Sequence, residues 1–311
     1  MVTVFVNGSG GTTGLRIHQR LSLRSDLRLL SLPEEARKDA DAQAALAQQA
    51  DLTVLCLPDD GARSFFAALG NADVKVLDTS TAFRTDAHFA YGFPELSKRH
   101  EEAIRTSNRV ANTGCHAAGA IALLYPLLTT GVIAPDMPLS ISSITGYSGG
   151  GKPMIAEYEA ENRPEALSAP RAYAVTQNHK HIPEIVMVCG LHEPPVFQPV
   201  VADFYNGMLV SIPLHPRLMD NPLEVDGLTA LYRAHYEGKT MMRVLDPNPE
   251  PTLAANALKD SDAMEIFMTG GGGRMIACAR FDNLGKGACG MAIQNMDLML
   301  GVNEGVCYAM D

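Results

Sequence analysis

Val2-Thr-Val-Phe-Val6-Asn7-Gly8-Ser9-Gly10-Gly11-Thr12-Thr13-Gly14-Leu15-Arg16-Ile17-His18-Gln19-Arg20-Leu21 decides the fold. Val2–Val6 is a continuous β-branched and aromatic run, the pattern of a strand covered on both faces. The glycines make a tight turn, and Leu15–Leu21 has helical spacing. A strand, a glycine turn and a helix N-terminus in that order form a site for a dinucleotide pyrophosphate, because the helix offers unpaired backbone N–H groups and the positive end of its dipole. The spacing Gly8-x-x-Gly11-x-x-Gly14 is a variant of the usual fingerprint.

The alternation continues outward from this stretch. Asp26–Ser31 reads as a second strand, Ala40–Gln49 as a helix, Leu52–Leu57 as a strand, Gly61–Leu69 as a helix and Val74–Asp78 as a strand. Such an order predicts a parallel sheet with helices on both faces, with ligands gathering at the strand C-termini. Glu34 lies near the distance at which an acidic residue holds a ribose 2′-hydroxyl in NAD sites. Ser31 with Arg37 and Lys38 offers contacts for a 2′-phosphate instead, and this points to NADP. Arg84, at the end of Asp78-Thr-Ser-Thr-Ala-Phe-Arg84, is the cation best placed to meet an anionic substrate.

Arg109-Val-Ala-Asn-Thr-Gly-Cys115-His-Ala-Ala-Gly-Ala-Ile-Ala-Leu-Leu-Tyr125 predicts a short strand, a turn and an apolar helix opened by Cys115. A thiol at a helix N-terminus sits where the dipole favours an anion, so Cys115 is the candidate nucleophile. Pro126 is expected to limit the helix.

Beyond this helix the patterning changes. Leu139–Thr145 alternates like a half-buried antiparallel strand and runs into Gly146-Tyr-Ser148-Gly149-Gly150-Gly151-Lys152, where glycine N–H groups, a hydroxyl and a cation suit a phosphate. His179 and His181, just before Pro183-Glu184, are candidates for the acid/base partner of Cys115, with Glu184 to orient one of them. No third ligand accompanies them, so no metal is expected. Two hairpins are expected: Phe197–Phe204 with Met208–Leu214 across Asn206-Gly207, and Met264–Thr269 with Met275–Phe281 across Gly270–Gly273. A final apolar helix, Met291–Leu300, is expected to pack on the nucleotide domain. The fold class is therefore α/β: an N-terminal Rossmann-like parallel sheet plus an α+β domain with a mixed or antiparallel sheet. The expected boundaries are 1–113, completed by a C-terminal helix over 286–311, and 114–285, which carries catalysis and oligomerisation.

The whole chain of 311 residues, with a net charge of −10 and no tryptophan, argues against a nucleic-acid surface. The six cysteines contain no CxxC pair and read as reduced thiols. No basic n-region precedes the first strand, and no apolar run is long enough to span a bilayer, so a cytoplasmic protein without a membrane partner is expected.

The motifs together resemble N-acetyl-γ-glutamyl-phosphate reductases of the shorter type, in the semialdehyde dehydrogenase superfamily. The resemblance rests on the Gly8/Gly11/Gly14 turn, Asp78–Arg84, Tyr91-Gly-Phe-Pro-Glu-Leu96, Asn112-Thr-Gly-Cys115, Gly146–Lys152, His179-Lys-His-Ile-Pro-Glu184 and Asp282-Asn-Leu-Gly-Lys-Gly-Ala288, which appear in family order. It implies NADPH-dependent reduction of an acyl phosphate to a semialdehyde through a Cys115 thioester, in arginine biosynthesis. NADP(H) would be held by Gly8, Gly10, Gly11, Thr12, Thr13, Gly14, Ser31, Arg37 and Asn283. Substrate and phosphate would meet Arg84, Asn112, Ser148, Gly149, Gly150, Lys152 and Glu184. The assembly implied is a homodimer or homotetramer. Competing readings are a reductase for aspartyl or N-acetyl-aminoadipyl phosphate, a Cys/His hydrolase and a non-catalytic NADP sensor.

Overall fold

A computed structural model of the chain describes residues 1–302. They divide into two compact units, Met1–Gly114 together with the segment that begins at Ala288, and Cys115–Gly287.

Unit 1 starts with β1 (Val2–Asn7), α1 (Thr12–Ser22), β2 (Leu27–Leu30), α2 (Ala40–Ala47), β3 (Leu52–Leu55), α3 (Asp59–Leu69) and β4 (Val76–Asp78). β5 (Ala90–Gly92), α4 (Lys98–Thr106) and β6 (Arg109–Asn112) follow. The described strands form one sheet in the order β2-β1-β3-β4-β6-β5, every pair parallel. The order reverses between β1 and β3, which is where a doubly wound sheet opens a crevice for ligand. Phe5, Leu55, Phe65 and Val76 fill the core on one face, with Ala44 and Ala47 of α2. Asp39 starts α2 by accepting from the N–H groups of Asp41 and Ala42, the usual task of an N-cap carboxylate.

Unit 2 contains α5 (Cys115–Thr129), β7 (Ser140–Gly146), α6 (Gly151–Tyr158), β8 (Arg171–Ala172), α7 (Ile182–Cys189) and β9 (Val196–Ala202). β10 (Met208–Leu214), α8 (Val225–Tyr236), β11 (Met242–Val244), β12 (Met264–Gly271) and β13 (Arg274–Phe281) complete it. Its sheet runs β11-β12-β13-β10-β7-β9-β8. α5 lies against β10 and β13. Gly119 permits that approach, since a Cβ there would stand 2.5 Å from Val210 and 2.8 Å from Phe281. α5 also runs past Pro126, which offers no N–H to the carbonyl of Ala122. The hydroxyl of Tyr236 donates to that carbonyl at 2.7 Å instead, and Tyr232 donates to Leu123 O at 2.8 Å. Two tyrosines of α8 thus support the helix that begins with Cys115. The chain then re-enters unit 1 as α9 (Gly290–Leu300), which lies along β3 to β6. Beyond 302, the rest of the expected 286–311 helix and Cys307 lie outside the described residues.

Three expectations need correction. β7 belongs to a mixed arrangement, antiparallel to β10 but parallel to β9. The Asn206-Gly207 turn does not close a hairpin, because β7 sits between β9 and β10. Asn206 is held by the carboxylates of Asp260 and Asp282, and the N–H of Gly207 donates to Asn283 Oδ1, so distant partners shape this turn. Finally, α5 extends to Thr129, past the Pro126 expected to limit it. In Gly146–Lys152, Tyr147–Gly150 is a 3-10 turn and α6 starts at Gly151. The Met264–Phe281 region does form the expected hairpin, with positive φ at Gly270, Gly272 and Gly273.

Candidate active site

In unit 1 the glycine turn joins β1 to α1 at the switch point. Gly8 has φ +92°, and a Cβ there would enter the backbone carbonyl of Cys56 beyond β3. A Cβ at Gly14 would enter Gly8 O, so α1 can pack this closely only against bare backbone. Gly11 caps α1 with no side-chain acceptor, leaving the first N–H groups of the helix for another anion. Nothing stands within 4 Å of a Cβ built at Gly10. Asn7 Nδ2 and Thr12 Oγ1 are buried polar atoms with no hydrogen-bond partner. An uncapped helix end, an open approach at Gly10 and two orphaned polar atoms together fit a dinucleotide phosphate. Ser31 and Arg37 are exposed beyond β2, free of the core and available to a ribose phosphate.

At the end of β4, Asp78 is fully buried and accepts the Ser80 hydroxyl at 2.6 Å. Burial raises its pKa to about 6, against the opposing effect of the Ser80 hydrogen bonds and Arg84. Arg84 is buried nearby and donates to Thr79 O at 3.0 Å.

In unit 2 Cys115 is the first residue of α5 and half-buried. Gly287 passes beside it: a Cβ on Gly287 would stand 3.0 Å from that of Cys115. By contrast, burial pushes the Cys56 thiol up to about 12 and raises Cys189 and Cys278 as well, which suits packing and not nucleophilic chemistry.

Three imidazoles cluster around His116, the residue that follows Cys115 in α5. Ring centroids are 5.3 Å apart for His116 and His179, 5.6 Å for His116 and His181, and 4.8 Å for His179 and His181. Phe197 packs edge-on against His116 and His179. His179 is half-buried, and its Nδ1 accepts the N–H of His181 at 3.2 Å, so the neutral ring carries its proton on Nε2 as a donor. Burial, then the charge of Lys180, lowers its pKa to about 4. His181 is the buried N-cap of α7, and Glu184 is buried in the first turn of that helix. His116 is buried with both ring nitrogens engaged, Nδ1 with Ser143 Oγ and Nε2 with the Tyr173 hydroxyl, each at 2.6 Å. Sequence patterning did not single out His116 or Tyr173. The signal available for His116 was one polar residue inside an otherwise apolar helix.

Some expected site residues have structural tasks. Asn112 donates to Ala288 O at 3.1 Å and accepts from Asn295 at 2.9 Å, tying β6 to α9 within unit 1. Asn283, expected at the cofactor, accepts from Gly207 and donates to Ser148 Oγ at 3.0 Å within unit 2. Its amide thereby fixes Ser148, which is itself buried. Gly149, Gly150 and Lys152 are exposed around the start of α6. Among the described residues, no group of three or more His, Cys, Asp or Glu side chains could hold a metal ion, and no helix is long and apolar enough to cross a membrane.

Comparison with known proteins defines the class first. The model of the semialdehyde dehydrogenase NAD binding domain matches residues 3–105, and that of the semialdehyde dehydrogenase dimerisation domain matches residues 115–283. Solved structures agree on the fold. An aspartate semialdehyde dehydrogenase from Francisella tularensis has a TM-score of 0.74 at 12% identity, covering 96% of this chain and 100% of that one. The aspartate semialdehyde dehydrogenase II of Vibrio cholerae, solved with ASA, has a TM-score of 0.71 at 14% identity, covering 97% and 98%. Sequence relatives are more specific. The chain is 44% identical over 306 residues to N-acetyl-gamma-glutamyl-phosphate reductase 2 of Pseudomonas putida, covering 96% of each. It is 42% identical to N-acetyl-gamma-glutamyl-phosphate reductase of Rhizobium meliloti, covering 96% of this chain and 98% of that protein. The chain belongs to the semialdehyde dehydrogenase family and, within it, to the N-acetyl-gamma-glutamyl-phosphate reductases.

Proposed function

We propose that this chain reduces N-acetyl-L-glutamyl 5-phosphate to N-acetyl-L-glutamate 5-semialdehyde with release of phosphate, using NADPH, in arginine biosynthesis. The observation that carries the reading is Cys115 at the head of a buried helix, beside a histidine cluster, in a chain so similar along its length to reductases of that name. Cys115 sulfur attacks the acyl carbon, and the bond from that carbon to the phosphate oxygen breaks, releasing phosphate and leaving a thioester. The His179–His181 pair takes the thiol proton at attack and returns a proton to sulfur when the thiohemiacetal collapses to aldehyde. NADPH, when bound, supplies the hydride that reduces the thioester carbonyl. Gly8, Gly10, Gly11, Thr12, Thr13 and Gly14 would hold its pyrophosphate, and Ser31 and Arg37 its 2′-phosphate. Arg84, Lys152, Glu184 and the N–H groups of Gly149 and Gly150 would contact the substrate and its phosphate.

On this reading unit 1 is the NADP-binding domain and unit 2 carries catalysis and self-association. The match of residues 115–283 to a dimerisation domain supports an oligomer, here a homodimer or homotetramer. A cytoplasmic location accords with a biosynthetic role. The test is the reverse reaction: N-acetyl-glutamate 5-semialdehyde with NADP⁺ and phosphate, followed by NADPH absorbance. Growth that needs phosphate and disappears on alkylation of Cys115 is expected. Growth with aspartate semialdehyde alone moves the substrate, and silence with every aldehyde overturns the reductase reading.

A further inference from the structure

His116 stands next to Cys115 in sequence, yet its surroundings disqualify it as the acid/base. It is buried, and both ring nitrogens already have partners. Burial, then the charges of His179 and Lys180, takes its pKa down to about 3, so it is neutral at physiological pH. A neutral imidazole donates from one nitrogen and accepts at the other. The Ser143 hydroxyl can do either, so the proton on His116 determines what is left for Tyr173. Burial raises the Tyr173 pKa, and the nearby Cys115 raises it further, so the phenol stays protonated and within electrostatic reach of the nucleophile. A protonated phenol held by its oxygen has one O–H to give.

We propose that His116 is a positioning residue: Ser143 donates to its Nδ1, its Nε2–H donates to the Tyr173 oxygen, and the Tyr173 O–H is thereby turned toward Cys115. There it steadies negative charge, first on the thiolate and then on the oxygen of the acyl group bound to it. The inference rests on the thioester reading for the second task only; the first concerns the free protein. His179, His181 and Lys180 face the same cluster and supply or repel protons there, whereas His116 only directs one.

The test uses the full chain as His116→Gln, His116→Leu, Tyr173→Phe and the double variant that combines His116→Leu with Tyr173→Phe. Gln keeps an N–H at the ε position, and Leu keeps bulk without polarity. With semialdehyde, NADP⁺ and phosphate, His116→Leu and Tyr173→Phe should each lower kcat on the order of 10²-fold, the cost of losing one oxyanion donor, with KM little changed. The double variant should be no slower than either single, and His116→Gln should recover most of the rate. A loss from His116→Leu that is as large in the Tyr173→Phe background as in the parent would overturn the proposal, because that is how a merely structural residue behaves. Alkylation of Cys115 by iodoacetamide across pH, read by mass spectrometry without substrate, gives the independent measure. His116→Leu, Tyr173→Phe and the double variant should displace the profile upward by one common amount. Unequal or additive displacements overturn the proposal, even if the parent protein reduces no acyl phosphate. Should His116→Leu fail to fold, Tyr173→Phe alone decides: a kcat and an alkylation profile equal to the parent's overturn the proposal.

Discussion

Burial acts in opposite directions on two carboxyls of unit 1 and two imidazoles of unit 2. Unit 1 buries carboxyl groups: desolvation raises Asp78 and Asp297 from an ordinary 3.8 to about 6, although Arg24 sits 2.5 Å from Asp297. Unit 2 buries imidazoles: desolvation lowers His116 and His179 from 6.5 to about 3 and about 4. The raised carboxyls bind protons more tightly in the folded state, so their contribution is present in acid and is lost as pH rises through about 6. The lowered imidazoles bind protons more weakly when folded, so their contribution is present above about 6.5 and is lost as pH falls toward 4 and 3. The same physical cause therefore makes the buried carboxyls of unit 1 tolerant of acid and the buried imidazoles sensitive to it, His100 of unit 1 as well as His116 and His179 of unit 2. It also keeps His116 and His179 neutral near pH 7, so that neither places a positive charge in the cluster.

The sharpest way to separate the units is to remove the nucleophile. Cys115→Ala should lower the reductase rate by roughly 10⁴-fold or more while NADPH affinity, measured by fluorescence titration, stays at the parent value. A variant that loses cofactor binding as well would deny the division of labour. His179→Asn and His181→Asn should each cost about 10²–10⁴-fold in kcat, and the larger loss, with an altered pH–rate profile, identifies the member that moves the proton. Gly8→Ala works in the other unit. Its positive φ and its approach to Cys56 predict a cost of about 1–3 kcal/mol in stability, with weakened NADPH binding and an unchanged rate of Cys115 alkylation. The smallest effect tests the opening contrast directly. Between pH 6 and 4, hydrogen exchange corrected for intrinsic rate should show unit 2 peptides losing protection before unit 1 peptides, by at most about 1.4 kcal/mol per pH unit for each titrating group. His116→Gln should flatten that loss. Equal loss in both units would break the comparison.

Much of unit 1 was legible because its signals are local. Val2–Val6, the glycine turn and the following helix each need only neighbouring residues, and the β12–β13 hairpin is likewise closed by its own glycines. The β9–β10 connection was illegible for the opposite reason. Asn206-Gly207 carries the composition of a two-residue hairpin turn, but its conformation is held by Asp260, Asp282 and Asn283, far along the chain. The nucleophile could be read from Cys115 opening an apolar helix. Its neighbours could not, since the His116–Tyr173 pairing spans 57 positions and Gly287 approaches from the far end of unit 2. Pro126 misled on helix length because the donor that rescues Ala122 comes from Tyr236.

The close pass of Gly287 by Cys115 bears on the order in which the chain assembles. Unit 2 is an insertion whose first and last residues lie side by side, so once it folds, Gly114 and Ala288 are held near each other. In the folded protein α9 and the Asn112–Asn295 tie require those two points to be close. Bringing them together across an unfolded intervening segment would cost loop-closure entropy that grows with its length. A folded insertion removes that cost beforehand. The glycine that gives the nucleophile room therefore also shortens the gap that the return of the chain to unit 1 has to close.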